Sequence, residues 1–272
     1  MKKFTDFILR ILLALLCLTI LQIVFGLIFG IDEQLSAIFW VLLSNLLIVL
    51  VLSYAVFRTD AYSLKLTSAL FFMFFGIYVF NTQIEAFFFQ LQITRSEAVR
   101  MMLQGLMVTL LFSPAIVFLL NKMKISNTVP QPKAQNHHSR VGYIWRFILG
   151  DVFYVILYCI AGALVLPYVG DFYAEVARMP EPDKIIFMQV FRGLVYMVVT
   201  LPLIRILNTK KLKTALLIGL HLSILGGIAP LLVPNPFMPT HIRLAHGIEI
   251  AISNFIFGAI IALLFTKKLS QK

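Results

Sequence analysis

Runs of about 20 apolar residues recur along this chain with short polar connectors between them, and that recurrence constrains the fold more than any motif does. A hydrocarbon core roughly 30 Å thick is crossed by about 20 residues of helix, and within it every backbone N–H and C=O must find its partner inside the chain. Sixty per cent of the 272 residues are apolar, 13% are charged, and the mean hydropathy is +0.94. A soluble fold cannot hide that much apolar surface. The reading is an all-α, polytopic transmembrane bundle of about eight helices. Its spans fall roughly at 8–30, 36–57, 64–90, 99–121, 145–168, 185–207, 214–233 and 241–266 by apolar run length.

The formal charge of +11 does not describe a nucleic-acid surface, because phosphate binding needs Lys and Arg clustered on a folded polar face and no polar stretch is long enough to build one. The cations gather in every second connector instead. Lys2, Lys3 and Arg10 come first, then Arg58 and Lys65, then Lys122, Lys124, Lys133, Arg140 and Arg146. Arg205, Lys210, Lys211 and Lys213 follow, then Lys267, Lys268 and Lys272, for 17 of the 23 in all. The alternate connectors carry Asp32, Glu33, Glu97, Asp171, Glu175, Glu181 and Asp183. Basic connectors stay in the cytoplasm, so the expectation is a multi-pass protein of the cell membrane with both termini cytoplasmic and the bilayer as its main partner. Met1-Lys2-Lys3 and the long run Ile11 to Phe29, without a small-x-small cleavage site, read as an uncleaved first helix.

Residues 122–144, with Pro130, Pro132, His137 and His138, read as a basic cytoplasmic linker between a first half (1–121) and a second half (145–272), each of four helices. The His pair reads as solvated linker rather than a metal site. Cys17 and Cys159 fall inside apolar spans, which argues against a disulfide or a thiolate cluster. The third span is the least regular: Asn81, Gln83, Glu85, Gln90 and Gln92 make its outer half polar, as in an interfacial or re-entrant segment.

Three polar stripes interrupt the apolar spans. Arg243, His246, Glu249 and Ser253 share one side of the eighth, with Asn254 at the margin and Ile248, Ile252 and Phe255 opposite; Tyr78, Asn81, Glu85 and Gln92 share a face of the third; Gln189, Arg192, Tyr196 and Thr200 share a face of the sixth. The topology puts all three in the outer half of the membrane. The expectation is one polar cluster of Asn81, Glu85, Arg192, Arg243, His246, Glu249, Ser253 and Asn254, with an Arg192–Glu85 or Arg192–Glu249 pair at its centre.

Such a cluster suits a small polar or anionic-headed, lipid-like ligand, for transport or lipid handling. An enzyme with Glu249 or His246 as general base and Arg192 as anion stabiliser is the alternative, and a scaffold whose charges hold helices together is the third. His246 and Glu249 at i and i+3 supply two metal ligands, and a third would have to come from Glu85 or His221, so no metal site is expected. Ser253 lies two turns, about 10 Å, from His246 on the same helix, too far for a Ser–His contact. Nothing specifies a cofactor or an oligomeric state.

Overall fold

A computed structural model describes residues 2–31, 37–59, 61, 63–88, 94–121, 139–175, 181–235 and 238–266. Every regular element among them is helical: α1 (Lys2–Phe29), α2 (Ile38–Phe57), α3 (Ser63–Met73), a first π-helical segment (Phe74–Asn81), α4 (Thr82–Phe88), α5 (Arg95–Asn121), α6 (Arg140–Glu175), α7 (Pro182–Ile206), α8 (Lys211–Ser223), a second π-helical segment (Ile224–Ile228), α9 (Ala229–Leu232) and α10 (Thr240–Phe265). The short pieces join end to end, so among the described residues eight helices are long and apolar enough to cross a membrane. An even number of crossings leaves both chain ends on one face, called here the terminal face, opposite the far face.

Individual boundaries follow local chemistry. Gly30, at φ +65°, ends α1: its N–H bonds Leu27 O at 3.3 Å and the Ile31 N–H bonds Gly26 O at 2.9 Å, the paired closure that a left-handed glycine permits. Pro182 opens α7, where its missing N–H costs nothing. Helix α6 starts at Arg140 rather than 145, and residues 122–138 of the expected linker, with His137 and His138, lie outside the described residues. The third span is helical through Phe88, its polar outer half included, while Gln90 and Gln92 lie outside the described residues. Neither π-helical segment was foreseen from the sequence.

Consecutive spans run antiparallel. In one layer α1 packs on α2 and α5; in another α10 packs along α8 and α6; α3 and α7 join the two. Small residues set the closest approaches: a Cβ added at Gly258 of α10 would stand 2.8 Å from both Ile218 O and Gly219 Cα of α8. Phe74, Phe112, Leu66, Leu70, Met73 and Ile77 fill the centre, whereas Phe39, Phe118, Trp145, Leu164, Phe187 and Ile248 are exposed. An apolar exterior of that kind is matched to lipid. At the terminal face Thr59 Oγ1 donates to Ile206 O at 2.7 Å and Asn208 N–H donates to Arg58 O at 2.9 Å, tying the ends of α2 and α7.

Candidate functional site

The polar residues of α10 divide between two adjoining faces, because a stripe read at 100° per residue is wide enough to touch two neighbours. On one face, Arg243 Nη1 donates to Leu231 O at 2.9 Å and to Leu232 O at 2.7 Å. These are final-turn carbonyls of α9, which have no acceptor role inside the helix, and a cation there also complements the negative end of the helix dipole. Ser44 of α2 closes a third such carbonyl, donating to Ala229 O at 2.8 Å. Arg243 is therefore a helix cap, 5% exposed and already engaged.

Three turns toward the terminal face, Asn254 Nδ2 donates to Tyr196 Oη at 3.5 Å. A Cβ at Gly226 would meet Asn254 Nδ2 at 2.8 Å, Tyr196 Oη at 3.0 Å and Ile77 Cγ2 at 3.1 Å. Glycine there lets the second π segment touch α7, α10 and the first π segment at one point. Tyr154 and Phe257 enclose the Tyr196 ring at centroid distances of 5.5 and 6.0 Å.

One turn beyond this node toward the far face stand Arg192 on α7 and Asn81 at the end of the first π segment. Gly76 packs on Val199, and both Asn81 and Arg192 lie on the far-face side of that contact, Arg192 roughly 10.5 Å beyond it at 1.5 Å per residue, at a level called here the layer. Arg192 is 4% exposed and donates from Nη1 to Gln189 Oε1 at 3.3 Å. Asn81 and Gln189 are fully buried, yet Oδ1 and Nδ2 of Asn81 and Nε2 of Gln189 have no hydrogen-bond partner among the described residues. Thr200 Oγ1, one turn past Tyr196 on the terminal side, is in the same state. π-Helical segments recur at functional sites because the extra residue per turn realigns side chains, and here both flank the layer.

The other face of α10 turns toward α6, where Ile242 packs with Val165, Val169 and Phe172. On it His246 Nδ1–H donates to Glu249 Oε2 at 3.0 Å, and Ser253 Oγ donates to Ile250 O of its own helix at 3.3 Å. Of the eight residues expected to form one cluster, the structure brings Asn254 to Tyr196 on α7, one turn from Arg192, buries Asn81 one turn beyond the Ile77 contact, gives Arg243 to a cap, and sets His246, Glu249 and Ser253 on a separate face. Glu85 falls in α4, and its side chain lies outside what the structure describes. Among the described residues no third His, Cys, Asp or Glu joins His246 and Glu249. His221, fully buried, donates from Nδ1 to Leu217 O at 2.8 Å within α8.

An apolar cavity of about 430 Å³ lies between α4, α5 and α7. Ile84, Phe88, Met102, Leu103 and Phe191 wall it, and Gln83 and Arg95 are its polar members. Phe191 precedes Arg192, and Gln83 is two residues from Asn81. Buried guanidinium, amide and phenol groups are chemically able to hold a polar or anionic group. Compared with known proteins, the chain matches no family model, no curated protein and no solved structure.

Proposed function

We propose that this chain is an integral membrane protein that binds a small anionic-headed, lipid-like ligand in the layer of Asn81, Gln189, Arg192, Tyr196 and Asn254, for transport or lipid handling. The alternation of basic connectors supports cytoplasmic termini, which makes the far face extracytoplasmic and the layer reachable from outside. The carrying observation is Asn81: both atoms of its amide are buried without a partner among the described residues, in a setting where an unmet polar group costs roughly 1–3 kcal/mol. A headgroup accepting from Arg192 and exchanging hydrogen bonds with Asn81 and Gln189 removes that cost, and the neighbouring apolar cavity takes the chain.

The test is ligand-linked thermal unfolding of the purified protein in neutral detergent. Short-chain phosphatidylglycerol should raise the midpoint, since a ligand at 100 times its Kd adds about 2.7 kcal/mol, while inorganic phosphate alone should do less for want of a tail. Arg192→Met should abolish the shift. Equal shifts in wild type and Arg192→Met, or none with either probe, would dismiss the proposal.

A further inference from the structure

Asp151 belongs to none of the polar stripes. It is the sole carboxylate between Arg146 and Asp171 in the long apolar run of α6, and the structure turns it inward, 9% exposed, against α7. Its Oδ1 is sealed from solvent and has no hydrogen-bond partner among the described residues. The seal is made by small residues: a Cβ at Gly193 would run into Oδ1 itself and would stand 2.9 Å from Tyr154 Cδ1, and a Cβ at Gly150 would stand 2.5 Å from Met197 Sδ.

Among the described residues, charged groups on the surrounding elements engage partners other than Asp151. On α7, Arg192 is about 100° round the helix from Gly193 and bonds Gln189; Arg205 lies over the Tyr143 ring at 5.2 Å. On α6 itself, Arg146 donates to Leu264 O at 2.8 Å and to Gly142 O at 2.6 Å, and Tyr154 presents its ring to Tyr196 and Phe257. On α10 the nearest residues are Phe257 and Ile261, with His246 and Glu249 paired to each other about 12 Å farther along, at 1.5 Å per residue. An ionised carboxylate in that setting loses its hydration and gains no cation in return, a state that buried groups escape by taking up a proton.

We infer that Asp151 is a proton-binding site built into the α6–α7 interface. It holds a proton while Gly193 packs against it and releases the proton to water only when the two helices part. The O–H bond breaks heterolytically, the proton passes to water, the carboxylate stays with the protein, and nothing is oxidised. Because the closed packing binds the proton and the open one does not, proton uptake drives closure and closure drives uptake to the same extent. The ligand is the proton, and the inference stands apart from the headgroup-binding layer, which Asp151 does not line.

Infrared difference spectroscopy of the full chain in liposomes at neutral pH reads the carboxyl directly. Wild type minus Asp151→Asn should show one carboxylic-acid C=O band; a carboxylate band in its place overturns the inference. Gly193→Ala, which drives a methyl group into Oδ1, should weaken the acid band by at least about half and raise carboxylate absorption at the same pH. An unchanged acid band in Gly193→Ala protein of normal helicity refutes the coupling. Should Asp151→Asn fail to assemble, Asp151→Ser gives the same difference spectrum.

Discussion

Replacing Asn81 with Leu separates a binding amide from a structural one. Leu keeps the branch at Cγ, so the side chain still fills its place among α7 and the second π segment, but it removes two buried polar atoms that have no partner among the described residues. Each unmet group costs roughly 1–3 kcal/mol, and filling the site with apolar atoms recovers part of that. Reading the lower end for each atom and subtracting about 1 kcal/mol for imperfect packing of the larger side chain leaves a gain of about 1 kcal/mol. At about 2–4 °C per kcal/mol for a chain of this size, the melting midpoint in ligand-free detergent should rise by a few degrees, read by circular dichroism. The same protein should lose most of the upward shift that short-chain phosphatidylglycerol gives the wild type. A stabilised protein that no longer responds to ligand is the signature of a site that holds strain for binding. If Asn81→Leu melts below the wild type while keeping its ligand response, the amide is a structural group and the reasoning fails.

Substitutions at three further positions test what holds the helices in place. Arg243→Met strips α9 of both guanidinium hydrogen bonds and should cost about 2–4 kcal/mol, read as a lower midpoint with the ligand shift retained; Arg243→Lys should recover part of the loss. Gly258→Ala forces the backbones of α8 and α10 apart and should cost about 1–3 kcal/mol. Gly162→Ala, whose Cβ meets nothing within 4 Å, should instead gain up to about 1 kcal/mol from helix propensity. Equal midpoints for these two alanine variants would contradict the close α8–α10 contact.

The succession of spans was legible because lipid enforces it: wherever the chain crosses, a long apolar helix is the only answer, and eight were expected where eight are found. The contents of the site were legible less evenly. The stripe on α7 stayed together as a buried face, because Gln189, Arg192, Tyr196 and Thr200 sit within a narrow arc. The stripe on α10 did not, because Arg243 bonds α9 and Asn254 bonds α7, while His246, Glu249 and Ser253 lie on the adjoining face. Periodicity gives angles about a helix axis and says nothing of which helix stands opposite. The cap at Leu231 and Leu232 was hidden for the same reason, since its donor comes from a different helix. Asp151 had a readable signal, a lone carboxylate deep in an apolar run, but it forms no stripe and a search for stripes passes over it.

Hydrogen-bond satisfaction sorts these buried polar groups better than charge does. Between membrane helices, where lipid is as apolar as the side chains, polar contacts and small-residue packing supply the adhesion. A group that serves adhesion is visibly engaged. Asn45 Nδ2 donates to Thr19 Oγ1 at 3.1 Å and Gln22 Oε1 at 2.6 Å, Gln104 Nε2 donates to Gln22 O at 3.3 Å, and Ser44 and Arg243 close the end of α9. Asn45 Oδ1 and Gln189 Nε2 also have no partner among the described residues, but each of those side chains is held by its other polar atom; in Asn81 no described residue engages either amide atom, and in Asp151 none engages Oδ1. Adhesion does not account for them, because an apolar side chain of the same shape would hold the helices at lower cost. They lie beside the two π-helical segments and the glycine-sealed α6–α7 contact, where the regular packing of the bundle is interrupted. Buried polar atoms that no described residue engages, set beside helices out of regular register, support the proposed headgroup and proton sites.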